Sequence, residues 1–410
     1  MFLALRGDRF DGHDFVKEAL KTGGGAMINR DALCVTGSEF GSNGLRIADY
    51  DTGKTIILVD DTLFALHDLA RYIRKRFKGT VVGVVGSNGK TTTKELISSI
   101  LSARLRTHKT TGNLNNHIGM PLSITRAESD TGAMVLEMGT NRPGDIDELC
   151  TIGLPDIGVI TNIGYEHLEG FGSLDKVRDS ELEILPYVKK LILNADDSFL
   201  MEGVSGRFDG DVITFGIETD KTDLKVRDVV LSDEGTGFFI CVNNECIDIS
   251  SKLSGHFNVY NSLAAAAAAY AMGFNLREIK KGLESFSGVA MRFQLKRHKG
   301  VTFLNDSYNA NPSSMEESLK ELARRIKSGE GAGHAHKRAI AVLGDMLELG
   351  DYGADAHKRL GQWMSELPVD VFIGVGPLMS VAVSEFKGKG ICAATSKDAA
   401  EELGKIIREG

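Results

Sequence analysis

The stretch "GVVGSNGKTTTKEL", Gly83 to Leu96, constrains this chain more than any other. It continues the apolar run "TVVGVVG" and leads into "TTTKELISSILSARL", which reads as a helix. An uninterrupted apolar run suits a strand buried on both faces of a parallel sheet. Strand, glycine-containing loop and helix, in that order, form a phosphate-binding turn, because the loop and helix-start N–H groups face the anion. In such a turn Lys90 reaches the β and γ oxygens of a nucleotide and the Thr91 hydroxyl holds Mg²⁺. Gly86, Ser87, Asn88, Gly89 and Thr92 complete the expected nucleotide contacts. The usual spacing asks for a glycine five residues before the Gly-Lys pair, and Val84 stands there instead.

The rest of the chain follows α/β grammar. The runs "GAMVLEM", "IGVITNI" and "KLILNAD" read as strands with helix-like segments between them. Past Met291 the pattern restarts with "VTFLNDSY", "AIAVLGDM" and "VDVFIGVG", which predicts a second, smaller α/β unit. The basic amphipathic stretch "DDTLFALHDLARYIRKRFKG" closes a first segment, and "LAAAAAAYAMGF" predicts a closely packed core helix. With 410 residues to distribute, we expect domains at 1–78, 79–292 and 293–410. The glycine-rich "KSGEGAGHAHK" reads as a solvated loop, with its two histidines as the less expected metal site.

Charge narrows the function. A formal net charge of −8 argues against a general nucleic-acid or anionic-membrane binder. No apolar run reaches the length of a membrane span, and the N-terminus lacks the pattern of a secretory signal. The five cysteines lack zinc-type spacing, so we expect reduced thiols in a cytoplasmic protein, Cys241 and Cys246 included.

Several stretches together carry a resemblance. "GSNGKTT" resembles the loop of the Mur ligase superfamily, ATP-dependent amide-forming enzymes in which the earlier glycine is not required. "FLALRGDRFDGHDFVKEAL", "TGNLNNHIGMPLSI", "LEMGTNRPGDI", "HLEGFGSL", "NDSYNANPSSM" and "LGDMLELG" resemble, within it, the MurF family over nearly the whole chain. The resemblance implies a three-domain α/β Mur ligase architecture: a central P-loop ATPase-type parallel sheet and a C-terminal Rossmann-like domain. It also implies ATP and Mg²⁺, with UDP-MurNAc-tripeptide and D-alanyl-D-alanine as substrates of a cytoplasmic monomer. Its chemistry runs through an acyl phosphate, where crowded anionic groups need positive charge and exclusion of water.

The same resemblance gives residue roles. Glu137, at the end of an apolar run, matches the family's Mg²⁺ ligand, and a hard cation favours such an oxygen. His167 matches a histidine that helps hold a second metal ion. Thr91, Glu137 and His167 are therefore the expected metal ligands, and Lys90, Glu137, His167 and Glu181 the expected catalytic set. Asn261 matches an asparagine near the nucleotide, and Arg292 an arginine approaching the ATP phosphates. The loop with Asp306, Tyr308, Asn309 and Asn311 matches one that closes over nucleotide and dipeptide. Asn113, Asn115 and Asn116 suit either a phosphate-facing loop or a self-capped turn, and Asn258 either that region or a helix cap.

Two departures stand out. Most Mur ligases carry a lysine, modified by CO₂ to a carbamate, where "SLDKVRDSELEIL" places Glu181; Glu183 matches the glutamate that follows. Either Glu181 supplies a carboxylate to the second metal directly, or that site is weakened or lost. The family's usual beginning and end also extend past this chain, which fits a fragment better than a ligase with a different first substrate. A MurF-like ligase acting on another carboxylate and a non-catalytic ATP-binding homologue are the competing readings.

Overall fold

The computed structural model describes residues 1–7, 9–34, 45–46, 53–232, 234–327 and 338–408. The histidine-bearing loop at 328–337 lies outside them. At the centre is a nine-stranded sheet. In space it runs Thr107–Lys109, Ala133–Glu137, Thr80–Val85, Ile157–Ile160, Lys190–Asn194, Asp211–Gly216, Leu224–Leu231, Thr236–Val242, Glu245–Ser251. Neighbours are parallel as far as Leu224–Leu231, and the last two strands pair antiparallel.

The apolar run is a strand because both of its faces are covered. Side chains alternate along it, so Val82 and Val84 point one way and Val81 and Val85 the other. The first pair packs on Leu96, Ile97 and Ile100 of the loop helix, Lys90–Leu101, and in the same core as Ala264–Ala269. Those alanines belong to the helix His256–Ala271, and their small side chains let it lie close against the loop helix. The second pair faces Met120, Ile124, Ile146 and Leu149 on the opposite layer. The basic amphipathic stretch forms the helix Thr62–Arg76, capped by Asp61. It packs on that same layer, where Arg74 Nε donates to Gly153 O at 2.8 Å.

A three-stranded parallel sheet, Phe2–Leu3, Gly25–Asn29 and Thr55–Val59, sits at the N-terminal end. At the other end Ile340–Gly344, Val371–Val375 and Lys389–Ala393 form a second three-stranded parallel sheet, flanked by helices. The run "VTFLNDSY" does not join that sheet. Its strand, Val301–Asn305, pairs antiparallel with Gln294–His298 as a separate hairpin, because Lys299 and Gly300 turn the chain straight back with positive φ. Met315, Leu319, Met346 and Phe372 of this end share a core with Leu168, Phe171 and Val177, so the two larger units are packed together.

The cysteine expectation needs correction. Cys241 and Cys246 form a disulfide across the hairpin Thr236–Val242/Glu245–Ser251. Asn243 and Asn244 both take positive φ, making a tight two-residue turn that sets the two cysteines opposite each other. Proximity enforced by register outweighs the absence of any wider sulfur cluster. Cys150 and Cys392 are free.

Candidate active site

The loop between Val85 and Lys90 is fixed from behind. Gly86 has φ +117°, and a Cβ there would come within 2.3 Å of Thr161 Oγ1. Gly89 has φ +83°, and its Cβ would lie 2.1 Å from Asn261 Oδ1. Both positions therefore require glycine. The end of the neighbouring strand holds the loop: Ser87 N donates to Asn162 O at 2.9 Å, and Asn88 N to Asn162 Oδ1 at 3.0 Å. Thr161 Oγ1 donates to Asn88 O at 2.6 Å. The first intrahelical bond goes from Thr93 N to Gly89 O. The N–H groups of Lys90, Thr91 and Thr92 precede it, and a helix start offers such groups to an anion.

Around this loop lies a dense set of charges. The Lys90 ammonium donates to Gly86 O and to Ser87 O, and reaches Glu166 Oε1 at 3.4 Å. Burial works against that charge, but Glu166, Glu181 and Glu137 outweigh it and raise the Lys90 pKa. Glu137 ends its strand nearly inaccessible to solvent. Its Oε1 accepts from Thr91 Oγ1 at 3.1 Å and from Asn115 Nδ2 at 3.0 Å, and its Oε2 lies 3.2 Å from Lys94 Nζ. A buried carboxylate beside a helix-start hydroxyl is a donor set that suits a hard divalent cation such as Mg²⁺.

His167 holds a left-handed backbone at the start of the short helix Leu168–Phe171. Its Nδ1 contacts Glu348 of the "LGDMLELG" segment, and its Nε2 lies 3.9 Å from Glu166 Oε2. Burial raises the Glu166 pKa, against the opposing charges of Lys90 and His167.

Glu181 is fully buried behind the loop. Its Oε2 accepts from Gly86 N at 2.7 Å, while Oε1 has no hydrogen-bond partner. Burial pushes its pKa up to about 8, with Lys90 and the Gly86 N–H opposing and Glu166 reinforcing. It does not line the cavity described below, and of its two oxygens only Oε2 is engaged, by the loop's backbone. The strand-end hydrogen bond has turned its carboxylate toward the loop's backbone. Glu183 accepts from Gly144 N and Asp147 N and so caps the helix Asp145–Gly153.

The C-terminal unit closes the other side. Asn311 Nδ2 donates to Asn88 Oδ1 at 2.9 Å, and Asn88 Nδ2 donates to Ser313 Oγ at 2.8 Å. The Arg292 guanidinium stacks 3.8 Å from the Tyr308 ring centre, with Nη2 3.5 Å from Thr91 Oγ1. Asp306 holds this strand-to-helix loop in place, accepting from Phe293 N and Ser318 Oγ. Between the two units is a cavity of about 980 Å³, lined by Lys90, Thr91, Glu137, His167, Arg292 and Asn309 among others.

Of the other expected residues, Asn261 accepts from Thr93 Oγ1 at 3.4 Å and lines the cavity with Thr92. Asn116 Oδ1 accepts from Ile118 N and Gly119 N just ahead of the helix Gly119–Thr125, whose cap position is held by Ile118. Asn258 is not a cap: Gly255 holds the cap position, and Asn258 accepts from Asn261 Nδ2 at 3.0 Å, orienting it. Sequence reasoning missed Asn162, Lys94 and Glu166. Glu166 carried one available signal, its place directly before His167.

Comparison with known proteins agrees with this geometry. Residues 84–269 match the Mur ligase middle domain, and 291–410 the Mur ligase glutamate ligase domain. UDP-N-acetylmuramoyl-tripeptide–D-alanyl-D-alanine ligase of Bacillus subtilis (strain 168) is 37% identical over 382 residues, 92% of this chain and 77% of that protein. The chain belongs to the MurF family of Mur ligases. MurF from Acinetobacter baumannii superposes with a TM-score of 0.84 at 30% identity, covering 100% of this chain and 84% of that one. MurF from Thermotoga maritima, solved in complex with ADP, superposes with a TM-score of 0.80 at 29% identity over 98% of this chain and 87% of that one. The central parallel sheet and the flanking α/β unit are thus the Mur ligase fold, as the motifs implied. Among the described residues no helix is long and apolar enough to cross a membrane.

Proposed function

We propose that this chain is an ATP-dependent ligase that joins D-alanyl-D-alanine to UDP-MurNAc-tripeptide, working in the cytoplasm as a monomer. One observation carries the reading. The phosphate loop with Lys90, Thr91 and Glu137 and the loop with Arg292, Asn309 and Asn311 face a single cavity from opposite sides. A reaction that brings together nucleotide, acid and amine needs such a meeting place, shielded from water. In this reading residues 1–78 bind the nucleotide-sugar, 79–292 the ATP, and 293–410 close over the incoming dipeptide.

A carboxylate oxygen of the tripeptide attacks the γ-phosphorus of ATP, ADP leaves, and an acyl phosphate forms. The dipeptide amine then attacks the acyl carbon and loses a proton, and inorganic phosphate departs with the bonding electron pair. Lys90 leaves its own loop carbonyls for the β and γ oxygens and carries the charge that the surrounding carboxylates already favour. Arg292, held rigid on Tyr308, adds a second cation from the opposite wall. Thr91 and Glu137 would hold Mg²⁺, which would neutralise phosphate charge when bound.

The test is phosphate release from Mg·ATP and UDP-MurNAc-tripeptide, with and without D-alanyl-D-alanine, with the product identified by mass. Release that requires both substrates, together with the pentapeptide, is the expected result. Nucleotide binding without substrate-dependent release would overturn the reading.

A further inference from the structure

We propose that Glu166 is the carboxylate ligand of the second divalent cation, alongside His167, and that Glu181 serves the loop instead. The proposal rests on the ligase reading above and assigns the site's missing carboxylate.

The position expected to bear a carbamate cannot supply one, since Glu181 has no amine to modify. Nor does Glu181 reach the cavity. Its Oε2 is committed to the Gly86 N–H, and the residue lies wholly behind the loop. Glu166 is different on both counts. It lines the cavity together with His167, and its carboxylate is almost fully screened from bulk water.

The spacing fits a shared ion. Glu166 Oε2 and His167 Nε2 are 3.9 Å apart. Two ligands about 2.1 Å from one octahedral cation lie about 3.0 Å apart when adjacent and about 4.2 Å apart when opposite. The observed 3.9 Å equals neither value but is within about 1 Å of both, a difference that side-chain rotation can close to place both atoms on one ion. His167 is also prepared for the role, because Glu348 engages Nδ1 and leaves Nε2 facing Glu166. A carboxylate on the far nitrogen is the usual way a metal-binding histidine is oriented. Since Glu348 belongs to the C-terminal unit, this preparation depends on that unit being docked.

Charge points the same way. The Lys90 ammonium sits 3.4 Å from Glu166 Oε1. When Lys90 moves to a nucleotide, Glu166 loses its only nearby lysine partner among the hydrogen bonds and ion pairs of the described residues. A buried carboxylate so exposed to added phosphate charge demands a replacement cation. The metal ion fills the place that the lysine vacates.

The experiment is a Mn²⁺ titration followed by electron paramagnetic resonance on the full chain with a non-hydrolysable ATP analogue. Wild type, Glu166→Gln, Glu166→Asp and Glu181→Gln are compared, with thermal melting as the check of folding. We expect two bound Mn²⁺ in wild type and in Glu181→Gln. Glu166→Gln should retain one and bind the other at least about 10-fold more weakly, with Glu166→Asp intermediate. Two tight sites in a folded Glu166→Gln would overturn the proposal, as would a second site lost from Glu181→Gln or missing from wild type. Should Glu166→Gln fail to fold, a Glu166→Asp variant with unaltered Mn²⁺ affinity overturns it equally. The readout does not depend on amide formation. A Mn²⁺ site lost with Glu166 in a protein that makes no pentapeptide would refute the substrate reading and leave the metal assignment standing.

Discussion

Replacing Glu181 by glutamine should make the protein more stable at alkaline pH. The carboxyl sits fully buried, with one oxygen on the Gly86 N–H and the other without a hydrogen bond, and its pKa is pushed up to about 8 from an ordinary 4.5. A raised carboxyl pKa means that the folded state keeps a proton which the unfolded chain releases. Below pH 4.5 the two states bind it alike. Between there and about 8, stability falls by about 1.4 kcal/mol per pH unit, a ceiling of about 5 kcal/mol over the window. Glu166 shares the same lysine and takes up part of the proton, so roughly 2–3 kcal/mol is expected from Glu181 itself. Glutamine keeps an acceptor for Gly86 and has no charge to bury. The assay is thermal melting of wild type and Glu181→Gln at pH 5.5 and 8.5. Wild type should lose stability between the two, and the variant should lose less, opening a gap of about 3 °C at pH 8.5. Parallel pH profiles would refute the argument, because they would mean that Glu181 is ionised and compensated in the fold.

Three shorter predictions follow. Gly89→Ala forces a left-handed backbone, costing about 1–2 kcal/mol, and drives a Cβ into Asn261, so nucleotide binding should be lost. Gly206→Ala, also at positive φ but in open space, is the control: equilibrium dialysis with ATP should separate the two. Arg292→Lys gives up the stack on Tyr308 and the planar fork near Thr91, and steady-state phosphate release should show kcat/KM lower by about 10–30-fold, or about 1.4–2 kcal/mol. Removing CO₂ and bicarbonate should leave turnover unchanged, since no lysine stands at position 181; a loss reversed by bicarbonate would contradict this.

Much of the fold was legible because burial on two faces leaves a plain trace. The run around Val82, the strands "GAMVLEM" and "IGVITNI" and the alanine helix all lie in fully covered positions, where apolar composition alone fixes the environment. Pairing was harder to read. Nothing local to "VTFLNDSY" states that its partner is the preceding hairpin strand, and the Cys241–Cys246 bond depends on a register that only the Asn243–Asn244 turn sets. Sequence spacing describes what a segment is, whereas pairing depends on what lies beside it.

The site divides along the same line. The positions of Lys90, Thr91 and Glu137 were legible because each sits at a strand end or helix start, where topology dictates direction. Glu166 and Glu181 were not, since their roles depend on which of two neighbouring carboxylates turns toward the cavity. The structure answers through the loop itself: the Gly86 N–H needs an acceptor from behind, and Glu181 is the residue placed to give it. With Glu181 holding its proton, the charges of Glu137 and Glu166 are matched by Lys90 and Lys94, and these four groups together are close to neutral. Anionic nucleotide and acid substrate then add negative charge that two lysines already in balance cannot absorb. In the proposed reaction Arg292 would offset part of that charge, and metal cations entering with the substrates would be received by the carboxylates on the cavity wall, Glu137 and Glu166.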